Sequence, residues 1–124
     1  MPAAAEVIAY KAELKASNEI PPNQSKATGS VTISYDTAEK SLSWRGSFTG
    51  LSGPVTAAHF HGPAIFSKNA GIALPIVSGN LPSPFEGSAN LTDAQAADLM
   101  AGRWYVNLHT AAFPAGEIRG QVVK

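Results

Sequence analysis

An all-β antiparallel fold, a sandwich or small barrel with one short inserted helix, is predicted for this 124-residue chain from three features. Short segments that alternate apolar and polar residues recur along it. Clusters of Gly, Pro, Asn and Ser separate them, and a single stretch carries a helical period. The length fits one domain, residues 1–124, around one core.

The elements follow in order. "VIAYKAEL" alternates loosely and ends near Pro21 and Pro22, which force an extended passage. "ATGSVTISYD" sets Val31, Ile33 and Tyr35 on one face. "SLSWRGSFTGL" does the same with Leu42, Trp44 and Phe48, and the polar turn "DTAEK" joins the two as a hairpin. "VTAAHFH" is the next strand. A Gly- and Asn-rich loop follows, holding a short apolar strand around Ile76 and Val77, where Pro75 argues for a sheet edge or a strand start. In "LTDAQAADLMAG", Thr92 is an N-cap with Gln95 at capping-box spacing. Asp93 suits the helix dipole, Ala96, Leu99 and Met100 form the apolar face, and Gly102 ends the helix. "RWYVNLHT" and "EIRGQVVK" are the closing strands.

Composition narrows the function classes. Hydrophobic residues are 44% and charged residues 15%, a globular balance. The formal net charge is zero, so nothing electrostatic points to nucleic acid or an anionic membrane surface. No apolar run approaches the roughly 20 residues of a membrane-spanning helix. The chain has no cysteine, which excludes disulfides, thiolate metal sites and thiol catalysis. The start, "MPAAAEVIAY", has no signal-peptide pattern and leads through small alanines into the first strand. It reads as a mature exported domain, its signal peptide removed and Met1 supplied for expression.

The chemistry concentrates in "TAAHFHGPAIF", Thr56 to Phe66. The strand period places His59 and His61 on one side and Phe60 on the other. In "RWYVNLH", Trp104, Val106 and Leu108 form the bulky set, and Arg103, Tyr105, Asn107 and His109 the opposite one. If Phe60 and the Trp104 set fill the core, all three histidines of the chain share the non-core face, provided the two strands share a sheet. Three imidazoles on neighbouring strands are the usual protein part of an open metal site. Asn107 and Glu117 are candidates to orient an imidazole or to add a ligand. The alternative for Glu117 and Arg119 is a solvent-exposed ion pair of little energetic weight.

The segments "KAELKASNEIPPNQSKATGSVTISYD", "AAHFHGPA" and "NLTDAQAADLMAGRWYVNLHTAAFPAGEIRGQV" resemble the CHRD domain, a family named after chordin and abundant in bacterial exported proteins. The resemblance runs from about Tyr10 to Val122. It implies an immunoglobulin-like or superoxide-dismutase-like sandwich and a periplasmic or secreted location. "HFH" is also similar to the His-X-His strand of copper–zinc superoxide dismutases, although three histidines are too few for a bridged two-metal site.

Three functions are weighed. The first is an exported module holding one transition-metal ion through His59, His61 and His109. Copper is favoured by the Irving–Williams order and zinc is the alternative. The second is an adhesion or interaction domain binding a protein partner through the loop that carries Ile65, Phe66, Ile72 and Leu74. Those residues are expected rather to fold back onto the core. The third is a metal-dependent redox or hydrolytic enzyme, for which the sequence offers no nucleophile elbow and no assigned catalytic residue.

Overall fold

The computed structural model describes residues 6–77 and 79–124; the N-terminal stretch read as a processed start falls in residues 1–5, outside them. Eight antiparallel strands form one sheet: β1 (Val7–Lys15), β2 (Thr28–Asp36), β3 (Ser41–Thr49), β4 (Val55–His61), β5 (Ile72–Val77), β6 (Phe85–Asn90), β7 (Tyr105–Thr110) and β8 (Ile118–Gln121). Their order across the sheet is β5-β4-β7-β8-β1-β2-β3-β6. Among the described residues the only α-helix is α1 (Asp93–Met100), and no helix is long and apolar enough to cross a membrane.

The alternation read from the sequence is the alternation of burial. Tyr10, Ala12 and Leu14 from β1, Val31, Ile33 and Tyr35 from β2, and Leu42 and Trp44 from β3 point into one core. Their intervening residues face out, because side chains on a strand alternate sides. β2 and β3 pair from Thr28↔Thr49 to Asp36↔Ser41, the expected hairpin.

The two layers of the sandwich are one sheet folded over on itself. Trp44 on β3 and Phe60 on β4 are five places apart in strand order, yet their rings meet edge-to-face at 5.3 Å. Phe60 also lies 5.4 Å from Trp104, so one aromatic trio ties the layers together.

The sheet stops short of closing between β5 and β6, and α1 follows β6 in the chain. Its N-cap is the capping box read from the sequence: Gln95 donates its backbone N–H to Thr92 Oγ1 at 3.1 Å, and Thr92 donates its own to Gln95 Oε1 at 2.9 Å. Gln95 also donates Nε2–H to the Ala73 carbonyl on β5 at 2.8 Å. Ala96 and Leu99 reach the core, but Met100 is 46% exposed, because the buried face of the helix is only about one residue per turn wide.

β6 has no counterpart in the sequence reading, which counted seven strands. Its "FEGSAN" holds Gly, Ser and Asn, all weak strand formers. Tertiary pairing makes it a strand: the register Trp44↔Gly87 lays the indole over a residue without a side chain. A Cβ at Gly87 would stand 2.5 Å from Trp44 Cζ2. β5 is the opposite edge, one of the two positions that Pro75 allows.

A candidate metal centre on β4 and β7

β4 and β7 are direct antiparallel neighbours, which meets the condition for a shared histidine face. A bulge near the start of β4, between Val55 and Ala57, resets the alternation. Val55, Ala58 and Phe60 then face the core, while His59 and His61 face away from it. Trp104, just before β7, and Val106 and Leu108 on it are fully buried inward as expected. His109 stands opposite Ala57, whose small side chain leaves room for the ring to lean towards His59 on the diagonal.

The three imidazoles converge. His59, His61 and His109 each offer a nitrogen, and these atoms lie within 4.8 Å of one another. His59 Nδ1 and His109 Nε2 are 3.3 Å apart. Two nitrogens bound at about 2.05 Å to one tetrahedral ion would stand roughly 3.3 Å apart, so this pair is already at ligand spacing.

Backbone carbonyls orient the rings from behind. His109 Nδ1–H donates to the Pro114 carbonyl at 2.9 Å, which leaves the Nε2 lone pair free. That lone pair accepts the Nδ1–H of His59, and a metal ion would take the place of this shared proton. His61 Nδ1–H donates to the Ala70 carbonyl at 3.0 Å. Such distal acceptors fix tautomer and ring angle in histidine metal sites.

Burial, and to a lesser degree the neighbouring imidazoles, hold His59 below the ordinary histidine pKa. Burial does the same for His61, against the Ala70 carbonyl and the Asn107 side chain, which favour the protonated ring. The lowered values favour the neutral ring, the form that coordinates.

The face outside the core is not all open to solvent. The loop between β4 and β5 folds over it, and a layer of polar and aromatic groups fills the space beneath. Tyr105 stacks on His61 with centroids 4.7 Å apart and planes 5° from parallel. Its hydroxyl donates to the Ala70 carbonyl and accepts from the Ala70 N–H, both at 3.1 Å. The Arg119 guanidinium lies over the Tyr105 ring at 3.5 Å.

Arg119 is not half of a surface ion pair. It is 1% exposed and donates to Asn69 Oδ1 at 2.8 Å and to the Phe66 and Lys68 carbonyls, pinning the loop from below. Glu117 is not its partner, nor does it reach an imidazole. Its carboxylate accepts from Ser25 Oγ at 2.6 Å, Ser52 Oγ at 2.7 Å, Thr110 Oγ1 at 2.7 Å and the Ser52 N–H. Burial alone would raise the Glu117 carboxyl, but these donors outweigh it and hold it below the usual range. The acceptor behind His109 is instead the Pro114 carbonyl.

Asn107 is where the sequence put it, 2.8 Å from His61 Nε2 through Oδ1. Glu19 is the residue that sequence reasoning missed. It is buried, and its carboxyl is pushed up to about 7 by desolvation, against the lowering effects of Arg119 and Asn107. It follows no strand period, since it belongs to the irregular passage before Pro21. The proline pair was the sole signal that this passage is fixed.

The expected fold-back of the loop holds only for Leu74, which packs against the core. Phe66 is 73% exposed, and Ile65 and Ile72 are exposed with it. Ile65 and Phe66 lie on the loop that crosses the face outside the core, and Ile72 opens the edge strand β5.

No curated protein and no solved structure matches the chain. A family model for the CHRD domain matches residues 10–122, the same stretch that carries the sheet, the helix and the histidine cluster. With nearly its whole length covered, the chain belongs to the CHRD domain family.

Proposed function

We propose that the protein is a metal-binding module that holds one transition-metal ion through His59, His61 and His109. The observation that carries this reading is the 3.3 Å separation of His59 Nδ1 and His109 Nε2, with the third imidazole beside them. Both outer rings are partly exposed, so an ion reaches the cluster from solvent. Three imidazole nitrogens suit Cu(II) and Zn(II), and copper is favoured because affinity rises to it along the first-row series. Neither Asn107 nor Glu117 is needed as a ligand. A periplasmic or secreted location goes with this reading, through a family whose members are often exported.

Titration of the metal-free protein with Cu(II) and Zn(II), followed by calorimetry, tests it. One equivalent should bind, and His59→Ala or His109→Ala should weaken binding by at least tenfold. Equal binding by a variant lacking all three imidazoles would dismiss the metal site.

A second reading rests on a separate observation. Ile65 and Phe66 on the pinned β4–β5 loop and Ile72 at the start of β5 stand exposed, a surface suited to a protein partner. A partner whose binding is lost with Phe66→Ser, and kept in the metal-free protein, would favour that reading.

A further inference from the structure

Three imidazoles suffice to capture an ion, and they leave a fourth position on it to be filled. The contact between His61 and Asn107 bears on what fills it. His61 Nδ1 faces the Ala70 carbonyl at 3.0 Å, so the one proton of the neutral ring sits on Nδ1 and Nε2 carries a lone pair. What Nε2 meets, at 2.8 Å, is Oδ1 of Asn107, a second acceptor. The other side of the amide is committed elsewhere. A Cβ on Gly116 would lie 2.6 Å from Asn107 Nδ2 and 2.5 Å from Glu19 Oε2, so both atoms crowd that α-carbon. Glu19 Oε2 is a buried acceptor without a hydrogen-bond partner, so the N–H side of the amide belongs towards it and Oδ1 towards His61. Two lone pairs thus face each other in a buried place, and a cation between them makes the contact favourable. A proton on Nε2 would also sit well there, but at the cost of burying a charged ring.

The spacing says how a metal ion would be held. Two donor atoms bound at about 2.05 Å stand about 2.9 Å apart at a right angle, and about 3.3 Å apart at the tetrahedral angle. His61 Nε2 and Asn107 Oδ1, at 2.8 Å, match the first. His59 Nδ1 and His109 Nε2, at 3.3 Å, match the second. Both spacings in one cluster describe a flattened tetrahedron. The strand register puts Asn107 directly across from His59, between Tyr105 and His109 on its own face of β7. It therefore stands at the middle of the histidine face.

We propose that Asn107 Oδ1 is the fourth ligand of the ion, an inference that rests on the three-histidine reading. Three imidazole nitrogens and one amide oxygen then form a flattened set, and tetragonal sets of nitrogen and oxygen suit Cu(II). Glu19 and the bare α-carbon of Gly116 confine the amide from behind, so the oxygen is aimed before the ion enters.

A residue that only oriented His61 would leave the fourth position to water, and water can be labelled. Cu(II)-loaded protein in a non-coordinating buffer is measured by electron paramagnetic resonance in ordinary water and in water enriched in 17O. The 17O nuclear spin broadens the lines of copper that binds a water in its plane. The wild-type lines should stay sharp, whereas those of Asn107→Ala should broaden as a water takes the place of Oδ1. Competition with a chromophoric chelator should show that variant holding Cu(II) about tenfold more weakly or worse. Identical responses of the two proteins to enriched water, or equal Cu(II) affinities, would overturn the fourth ligand. Should Asn107→Ala fail to fold, the wild type decides alone: broadened lines dismiss Asn107 as a ligand, and sharp ones keep it. Failure of the metal reading looks different. The wild type then takes up no ion, or its copper signal shows no nitrogen splitting and survives the loss of His59 and His109.

Discussion

At the scale of single residues, the buried polar groups make the sharpest predictions. Glu19 carries a folded-state pKa of about 7 against an ordinary 4.5. Between those values the folded chain binds more protons than the unfolded one, so this group's contribution falls as pH rises from 4.5 to 7. The full effect is at most roughly 3 kcal/mol. Glu19→Gln should remove it, making the variant relatively more stable at pH 8 than at pH 5 in urea unfolding; an unchanged pH profile would contradict the assignment. His59 and His61 act at the other end. Their pKa values are lowered, so the unfolded chain takes up protons first as pH falls through the ordinary 6.5, and stability drops. Metal affinity should decline over the acid side of the same range, since protonated imidazole cannot coordinate. A competition titration that finds it constant from pH 7 to 5 would exclude histidine ligation. Glu117 separates from all of these. Glu117→Gln should cost about 2–4 kcal/mol of stability through the donors it leaves mismatched, yet leave metal affinity unchanged in the folded protein.

At the scale of elements, what could be read in advance divides by the kind of force involved. Period-two alternation identified β1 to β4 and β7, and the positions of His59, His61 and His109 followed from it, because burial against one core enforces that period. The capping box at Thr92 and Gln95 was equally legible, being a local hydrogen-bond pattern. Thr92→Ala should lower stability by about 1 kcal/mol, measured as a shift in the denaturant midpoint without change of slope. β6 was not legible, since its strand character comes from Trp44 lying over Gly87 and from pairing along β3. The bulge in β4 was also missed. It changed the facing of Val55 but spared the two histidines beyond it. The fates of Glu117 and Arg119 were unreadable for a related reason. Both sit at the ends of long-range contacts, to Ser25 and Ser52 in one case and to residues 66–69 in the other, that no spacing along the chain records.

At the scale of the whole molecule, the curled sheet has two interiors of different chemistry. One is the apolar core. The other is a thin polar layer between β7, β8 and the β4–β5 loop, where Arg119, Tyr105, Asn107 and Glu19 lie buried. Arg119 is the tie of that layer. Arg119→Leu should keep the sheet but free the loop: hydrogen exchange should rise about tenfold or more at residues 64–70 while β1–β3 stay protected. Uniform loss of protection across all strands would show instead that the loop and the sheet melt as one unit.

The aromatic trio gives the protein its own optical reporter. Phe60 sits in sequence between His59 and His61, with its ring packed against both tryptophans of the chain on the opposite side of the strand. An ion gathered by the imidazoles would rest one backbone thickness from the indoles. Cu(II), with its partly filled d shell, would darken their emission as it binds, whereas closed-shell Zn(II) would not. A single cuvette of native protein, with no added dye, would then tell the two ions apart.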